Sequence, residues 1–293
     1  MEVLGIDVGG TAIKLGRFDD RGNCLQSLTI DTPQPSLPEA VQDAILVAIP
    51  EIDSGGRAQA IGIGTPGPAD RDGKIAILGI NLVGWDHVPL GVWIETATGL
   101  PTVIANDANC AGVGEHWLGA ARGVDNFILL TLGTGVGGAI FINGSLFTGS
   151  YGAAGELGLV SLRPDGPACR SGNQGSLEQH LSIGSIQTRT GKTPAELSAL
   201  AAAGDGAALA FWRSYGRDLG IGLANHIYVL TPELIAIGGG ICAASEFFLD
   251  AVWEEIDRRV VPSSRVGLKI VQAELGNQAG MVGAARLALD KFG

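Results

Sequence analysis

A chain of 293 residues with 46% hydrophobic and 17% charged side chains can bury more than one minimal core, which excludes disorder and makes two lobes the expectation. Its formal charge of −11 argues against nucleic acid as the main partner, because a phosphate backbone is gripped through Lys and Arg. No run of roughly eighteen apolar residues could span a membrane, and the first strand-like run, from Glu2, leaves no room for a signal peptide. Cys24, Cys110, Cys169 and Cys242 form no C-x-x-C pair. They read as reduced thiols of a cytoplasmic protein.

In chain order, Val3–Ile6 is an apolar strand and Ala12–Phe18, after Gly9-Gly10, its hairpin partner. A third strand follows around Leu25–Ile30. Ser36, with Pro38 and Glu39 behind it, predicts a capping-box start for a helix to about Ile49. Ala58–Gly64 and Thr102–Ala105 read as buried strands, and a helix spans about Ala108–Trp117. The pattern then begins again: a strand at Asn126–Leu132, a glycine turn, and a return strand at Val136–Ile142. Residues 152–175 are rich in glycine and proline and read as irregular. Alanine-rich helices follow at about 194–203 and 206–229, then a strand at Leu234–Ile237 ending in three glycines, and a last helix from about Gln278. Strands alternating with helices mean α/β. Two halves with the same opening predict a duplicated fold with a cleft between them.

The 46 glycines, roughly twice the usual share, fall in clusters where backbone can approach a ligand. Asp7-Val8-Gly9-Gly10-Thr11 lies at one strand-to-strand turn and Gly133-Thr134-Gly135 at another. Each can offer amides to a polyphosphate, and Asp7 can hold Mg²⁺ through water. As a lone motif either loop is equally a plain hairpin turn. The dinucleotide G-x-G-x-x-G must open a helix, whereas β-branched and apolar residues follow here, which disfavours NAD. Asn106-Asp107 ends a buried strand, where ligands sit in α/β folds; one of the pair also suits the N-cap of the following helix.

Asp7–Gly16, the LGTGVGGA loop and Gly238-Gly239-Gly240 resemble the phosphate and adenosine elements of the sugar kinase/actin/Hsp70 ATPase superfamily. Thr65-Pro66-Gly67-Pro68, Asn81-Leu82-x-Gly-Trp85, Asn106-Asp107-Ala108-Asn109 and Gly155-Glu156-x-Gly narrow this to a resemblance to the ROK family over essentially the whole chain. The resemblance implies a duplicated ribonuclease H-like (actin-like ATPase) α/β fold. It places a smaller N-terminal lobe at 1–108, completed by the helix 278–293, and a larger lobe at 109–277. It also implies an ATP- and Mg²⁺-dependent hexokinase, with glucokinase the leading reading, acting as a homodimer. Asp107 is then the general base, and Asn81, Asn106, Asp107, Glu156 and Glu178 contact the sugar. Asp7, Gly9, Gly10, Thr11, Lys14, Gly133, Thr134, Gly135 and Gly238 to Gly240 serve the nucleotide phosphates and adenosine. Fructose, mannose or an N-acetylhexosamine are alternative acceptors.

Two departures matter. ROK proteins commonly hold zinc where this chain has Leu159, Cys169, Ser171 and Ser176; one thiolate cannot make a four-ligand N/S site, so no zinc is expected. Leu159 also removes a family contact to the sugar. Thr32-Pro33-Gln34-Pro35 resembles a segment of polyphosphate-using members, which makes a polyphosphate-dependent glucokinase the alternative. A stiff strand-to-helix connection is the favoured reading of those four residues. ROK repressors carry an N-terminal helix-turn-helix that a first strand at residue 2 leaves no room for.

Overall fold

The computed structural model describes residues 1–79 and 82–293. It divides into two compact units: Met1–Gly123 with Ser145–Gly155 and Glu274–Gly293, and Val124–Gly144 with Glu156–Ala273.

The first unit opens with strands β1 (Glu2–Val8), β2 (Ala12–Asp19) and β3 (Cys24–Asp31). Helix α1 (Pro38–Ile52), strand β4 (Ala58–Thr65) and the short hairpin β5 (Ala76–Leu78) and β6 (Asp86–Val88) follow. Helix α2 (Leu90–Thr98), strand β7 (Thr102–Asn106) and helix α3 (Asp107–Leu118) complete this part. The main sheet has the order β3-β2-β1-β4-β7. Strand β1 is antiparallel to β2 and parallel to β4, and β4 is parallel to β7. Covered on both faces, the central strands read as near-continuous apolar runs: Val3, Leu4 and Ile6 are fully buried. Val41 and Ile45 of α1 and Ile94 of α2 join the core on one face.

The second unit carries β8 (Phe127–Leu132) and β9 (Val136–Ile142), with the two-residue β10 (Ser145–Leu146) following them in the chain. After an irregular stretch come α4 (Leu177–Leu181), α5 (Ile183–Thr190), α6 (Pro194–Ala202) and α7 (Gly206–Leu230). Strand β11 (Leu234–Gly238), α8 (Ser245–Arg259) and β12 (Lys269–Gln272) end it. The second sheet has the order β10-β9-β8-β11-β12. Strand β8 is antiparallel to β9 and parallel to β11, which is parallel to β12. An antiparallel hairpin beside two parallel strands thus occurs twice in the chain. Trp212 and Tyr215 of α7 pack edge to face at 5.3 Å and close on Phe248 of α8, the arrangement that aromatic quadrupoles favour.

The chain returns to the first unit with α9 (Ala279–Phe292), which lies on β1, β4 and α3. Contact there is backbone to backbone: a methyl at Gly283 would fall 1.7 Å from the Cys110 carbonyl oxygen of α3. Because α3 is joined to α9 in this way, the chain leaves the first unit at Gly123, not at the expected boundary of 108. Glu115, fully buried on α3, holds the join. Its carboxylate accepts from the amides of Ala120 (2.8 Å), Glu274 (3.0 Å) and Leu275 (2.8 Å). Those amides lie close to two points where the chain changes unit.

The helix at 38 starts differently from expectation. Its N-cap is Leu37, with no side-chain cap. The Ser36 hydroxyl accepts from Gln34 Nε2 (3.1 Å) and its carbonyl from the buried Trp85 indole (2.7 Å). Pro38 stands in the first turn, where no N–H needs a partner. The capping box is therefore not formed.

Candidate active site

In the first unit, the β1–β2 register pairs Asp7 with Lys14, and Lys14 Nζ donates to Asp7 Oδ2 at 3.3 Å. Burial raises the Asp7 pKa, and Lys14 opposes this. The turn between them is braced from outside: Thr32 Oγ1 donates to the Gly9 carbonyl (2.7 Å), Gln34 Nε2 to the Gly10 carbonyl (3.0 Å), and the Thr32 amide to Thr11 O (3.0 Å). The TPQP side chains are thus engaged by the glycine turn itself. Among the described residues, none beyond its two chain neighbours has an atom within 4 Å of where a Gly10 side chain would stand.

Asn106 is the N-cap of α3, accepting the Asn109 amide at 3.1 Å. Asp107 follows at the first helical position, half-buried, with Oδ1 accepting the Ala108 amide at 2.7 Å. The cap belongs to the asparagine. Cys110, one turn on, has its thiol pKa pushed well up by burial and then by the charges of Asp7 and Asp107. Those two carboxylates therefore flank one buried thiol, and the fold brings together residues a hundred positions apart in sequence. Asn81 lies outside the described residues.

In the second unit, the β8–β9 turn is tied to α4 and α5. Glu178 Oε2 accepts the Val136 amide (3.0 Å), and Gly133 O accepts the Ile183 amide (2.9 Å). Glu178 thus has a fixed place beside the second glycine loop. Glu156 precedes the 3₁₀ turn Leu157–Leu159. Its pKa is raised by burial and, to a smaller degree, by the charge of Glu178, so the two carboxylates are neighbours. At the end of β11, Gly239 has φ 87°, and a side chain there would meet Leu132 O at 2.2 Å. Only glycine combines that backbone with that approach.

Leu159, Cys169, Ser171 and Ser176 form a hydrogen-bonded cluster. Ser171 Oγ donates to Cys169 Sγ at 3.2 Å, and Asn173 Nδ2 donates to Leu159 O at 2.6 Å. Burial alone would raise the Cys169 thiol, but hydrogen bonds from Ser171 and Ser176 outweigh it and lower the pKa. A donor set of one thiol and two hydroxyls does not fit a structural zinc. Among the described residues, no group of three His, Cys, Asp or Glu side chains could hold a metal ion.

Sequence reasoning missed four supporting residues. Gly280 abuts the Asp7 carboxylate, with a Cβ placed 2.8 Å from Asp7 Cγ. Thr32 and Gln34 brace the first turn from a segment whose sequence reads as a connection. His226 of α7, 5% exposed, hydrogen-bonds the Leu157 backbone beside Glu156; a lone histidine in an apolar helix gives no signal. Burial holds its pKa down to about 4, against about 6.5 when unfolded. The unfolded chain therefore takes up the proton first as pH falls. The stability that depends on neutral His226 is complete above about pH 6.5 and is lost between there and about pH 4, roughly 3 kcal/mol in all. Thermal unfolding across that range should show the decline, and His226→Gln should flatten it.

Two sheets of matching topology, each with a glycine turn after its first strand, define a duplicated α/β protein of the actin-like ATPase fold. The ROK family model matches residues 3–291, and the chain belongs to that family. The glucokinase of Streptomyces coelicolor is 35% identical over 97% of this chain and 96% of its own length. That of Thermotoga maritima is 33% identical over 100% and 99%. The crystal structure of a ROK glucokinase from Streptomyces griseus in complex with glucose and AMPPNP superposes with a TM-score of 0.86 at 33% identity, covering 99% and 100% of the two chains.

Proposed function

We propose that this protein is an ATP-dependent hexose kinase, a glucokinase, that transfers the γ-phosphoryl group to the 6-hydroxyl of glucose. The observation that carries the reading is Asp107: a half-buried carboxylate at the first position of α3, relieved of capping by Asn106 and sharing Cys110 as neighbour with Asp7 of the first glycine turn. Asp107 accepts the proton of the sugar hydroxyl as that oxygen attacks phosphorus, and the leaving nucleotide keeps the bond electrons. Asn106, Glu156 and Glu178 offer amide and carboxylate partners for sugar hydroxyls. The amides of the 9–11 and 133–135 turns face the phosphates, with Lys14 and Thr11 beside the first turn and Thr134 in the second, while 238–240 meets the adenosine. Asp7 would hold a nucleotide-borne Mg²⁺ through water, and the ion would supply charge neutralisation for the transfer. The chemistry of the Asp7 carboxylate fits that role.

The engagement of Thr32 and Gln34 with the carbonyls of Gly9 and Gly10 supports a bracing role for the TPQP segment and favours ATP over polyphosphate. A coupled assay with Mg²⁺ and glucose, run with each donor separately, tests this. Glucose 6-phosphate is expected from ATP and not from polyphosphate; formation from polyphosphate alone would reverse the donor assignment.

A further inference from the structure

The first unit contains a cavity of about 390 Å³, within the size range of small-molecule sites. Its walls come from the 69–73 turn, β7, the start of α3, the 146–152 segment and the last turns of α9. All of these belong to that one unit. Asn106 lines the cavity, whereas Asp7, Asp107 and the glycine turns do not.

Most charged groups around it are already engaged. The Asp70 carboxylate accepts the amides of Lys74 (2.6 Å) and Ile75 (2.8 Å). Asp290 pairs with Arg286 at 2.7 Å. Lys291 donates one hydrogen bond, to Asp72 O, and keeps two further N–H donors. Exposed Arg71 has neither a hydrogen bond nor an ion pair with any described residue. Arg71 and the remaining Lys291 donors are thus the lining groups with hydrogen-bonding capacity left for an anion. Deeper in, Asn109 is 3% exposed, and its Oδ1 has no hydrogen-bond partner among the described residues. An unpartnered buried amide oxygen costs about 1–3 kcal/mol, and such a group in a cavity wall calls for a ligand or water that donates to it. Thr148 adds a half-buried hydroxyl to the same wall.

We propose that this cavity is a second binding site, for a phosphorylated polyol of hexose size. Arg71 and Lys291 take the phosphate, while Asn109 and Thr148 take hydroxyls. The choice of a hexose phosphate among anionic polyols rests on the kinase reading; the existence of the site does not. Occupancy acts on turnover through Asn109, which lines the cavity and whose backbone amide donates the cap bond of the helix that begins at Asp107. A ligand that draws on the Asn109 side chain strains the cap bond that the Asn109 backbone amide donates, loosens the first turn of α3 and lowers kcat.

The test is a calorimetric titration of the full chain with glucose 6-phosphate in saturating glucose, which keeps the acceptor site filled. One binding event is expected to persist. Arg71→Ala is expected to weaken it at least about tenfold, as loss of a charge-assisted contact does, and to leave kcat and KM for glucose unchanged. Asn109→Ala should weaken it as well. In steady state, glucose 6-phosphate should then inhibit the wild type non-competitively against glucose and fail to do so in Arg71→Ala. Binding that vanishes in saturating glucose, or is indifferent to Arg71→Ala, overturns the proposal. Equal affinity for inorganic phosphate alone overturns the polyol part. Because the titration reads binding, it stands even if the protein phosphorylates no sugar, so failure of the kinase reading and failure of this site are separable.

Discussion

Asp107→Asn is expected to lower kcat for sugar phosphorylation by about 10²- to 10⁴-fold, the usual range for losing a general base, while the protein stays folded and still binds glucose. Asparagine preserves the shape of the side chain, and its Oδ1 can still accept the Ala108 amide that Asp107 Oδ1 accepts now at 2.7 Å. The cap on α3 comes from Asn106 and is untouched. What disappears is the ability to take a proton. Three measurements separate these effects: a coupled assay for turnover, calorimetry for glucose affinity, and thermal unfolding for the fold. Near-normal turnover would sink the assignment of Asp107 as base. Lost glucose binding with an unchanged melting temperature would instead make Asp107 mainly a sugar ligand.

The second large effect concerns stability. Gly283→Ala should destabilise the protein by ~3 kcal/mol or more, within the class of severe overpacking changes. The added methyl would stand 1.7 Å from the Cys110 carbonyl oxygen and 2.7 Å from the Gly114 amide nitrogen. Neither neighbour can rotate away, because both are helix backbone. Relief therefore requires α9 to move off α3, which strains the contacts that Glu115 makes with Glu274 and Leu275. It also shifts Gly280 away from the Asp7 carboxylate. Denaturant unfolding should show the loss, and activity should fall in step with it. A fully stable variant would mean that the two helices can separate freely.

The elements that could be read in advance are those with strong local signals. The hairpin at β1–β2, the strands at 127–132 and 136–142, and the long helix α7 follow from apolar periodicity and glycine turns. The capping box at Ser36 does not form because Ser36 is engaged elsewhere: its hydroxyl accepts the neighbouring Gln34 amide and its carbonyl the Trp85 indole, a partner 49 residues on that nothing near Ser36 encodes. The short hairpin β5–β6 and helices α2 and α8 carry weaker local patterns. Of the site, the two glycine turns and the Asn-Asp pair were legible because each is a short motif. The bracing by Thr32 and Gln34, the tie from Glu178 to Val136, and the His226 bond to Leu157 were not, since each joins segments far apart in the chain.

Local sequence carries the class of fold, the duplicated strand–turn–strand pattern, the family and the identity of the candidate base, since these depend on periodicity and on short stretches of chain. It also determined that the positions of the family's zinc hold only one thiol, which is a matter of composition. Packing in three dimensions fixes which of Asn106 and Asp107 caps α3, that Asp7 and Asp107 lie beside one buried thiol, and that serine hydroxyls lower the Cys169 pKa. It decided, too, that α9 and α3 meet at bare backbone and that a cavity forms between β7 and α9. Each of these depends on distances between residues remote in sequence, and such distances are set by packing, which no local pattern encodes.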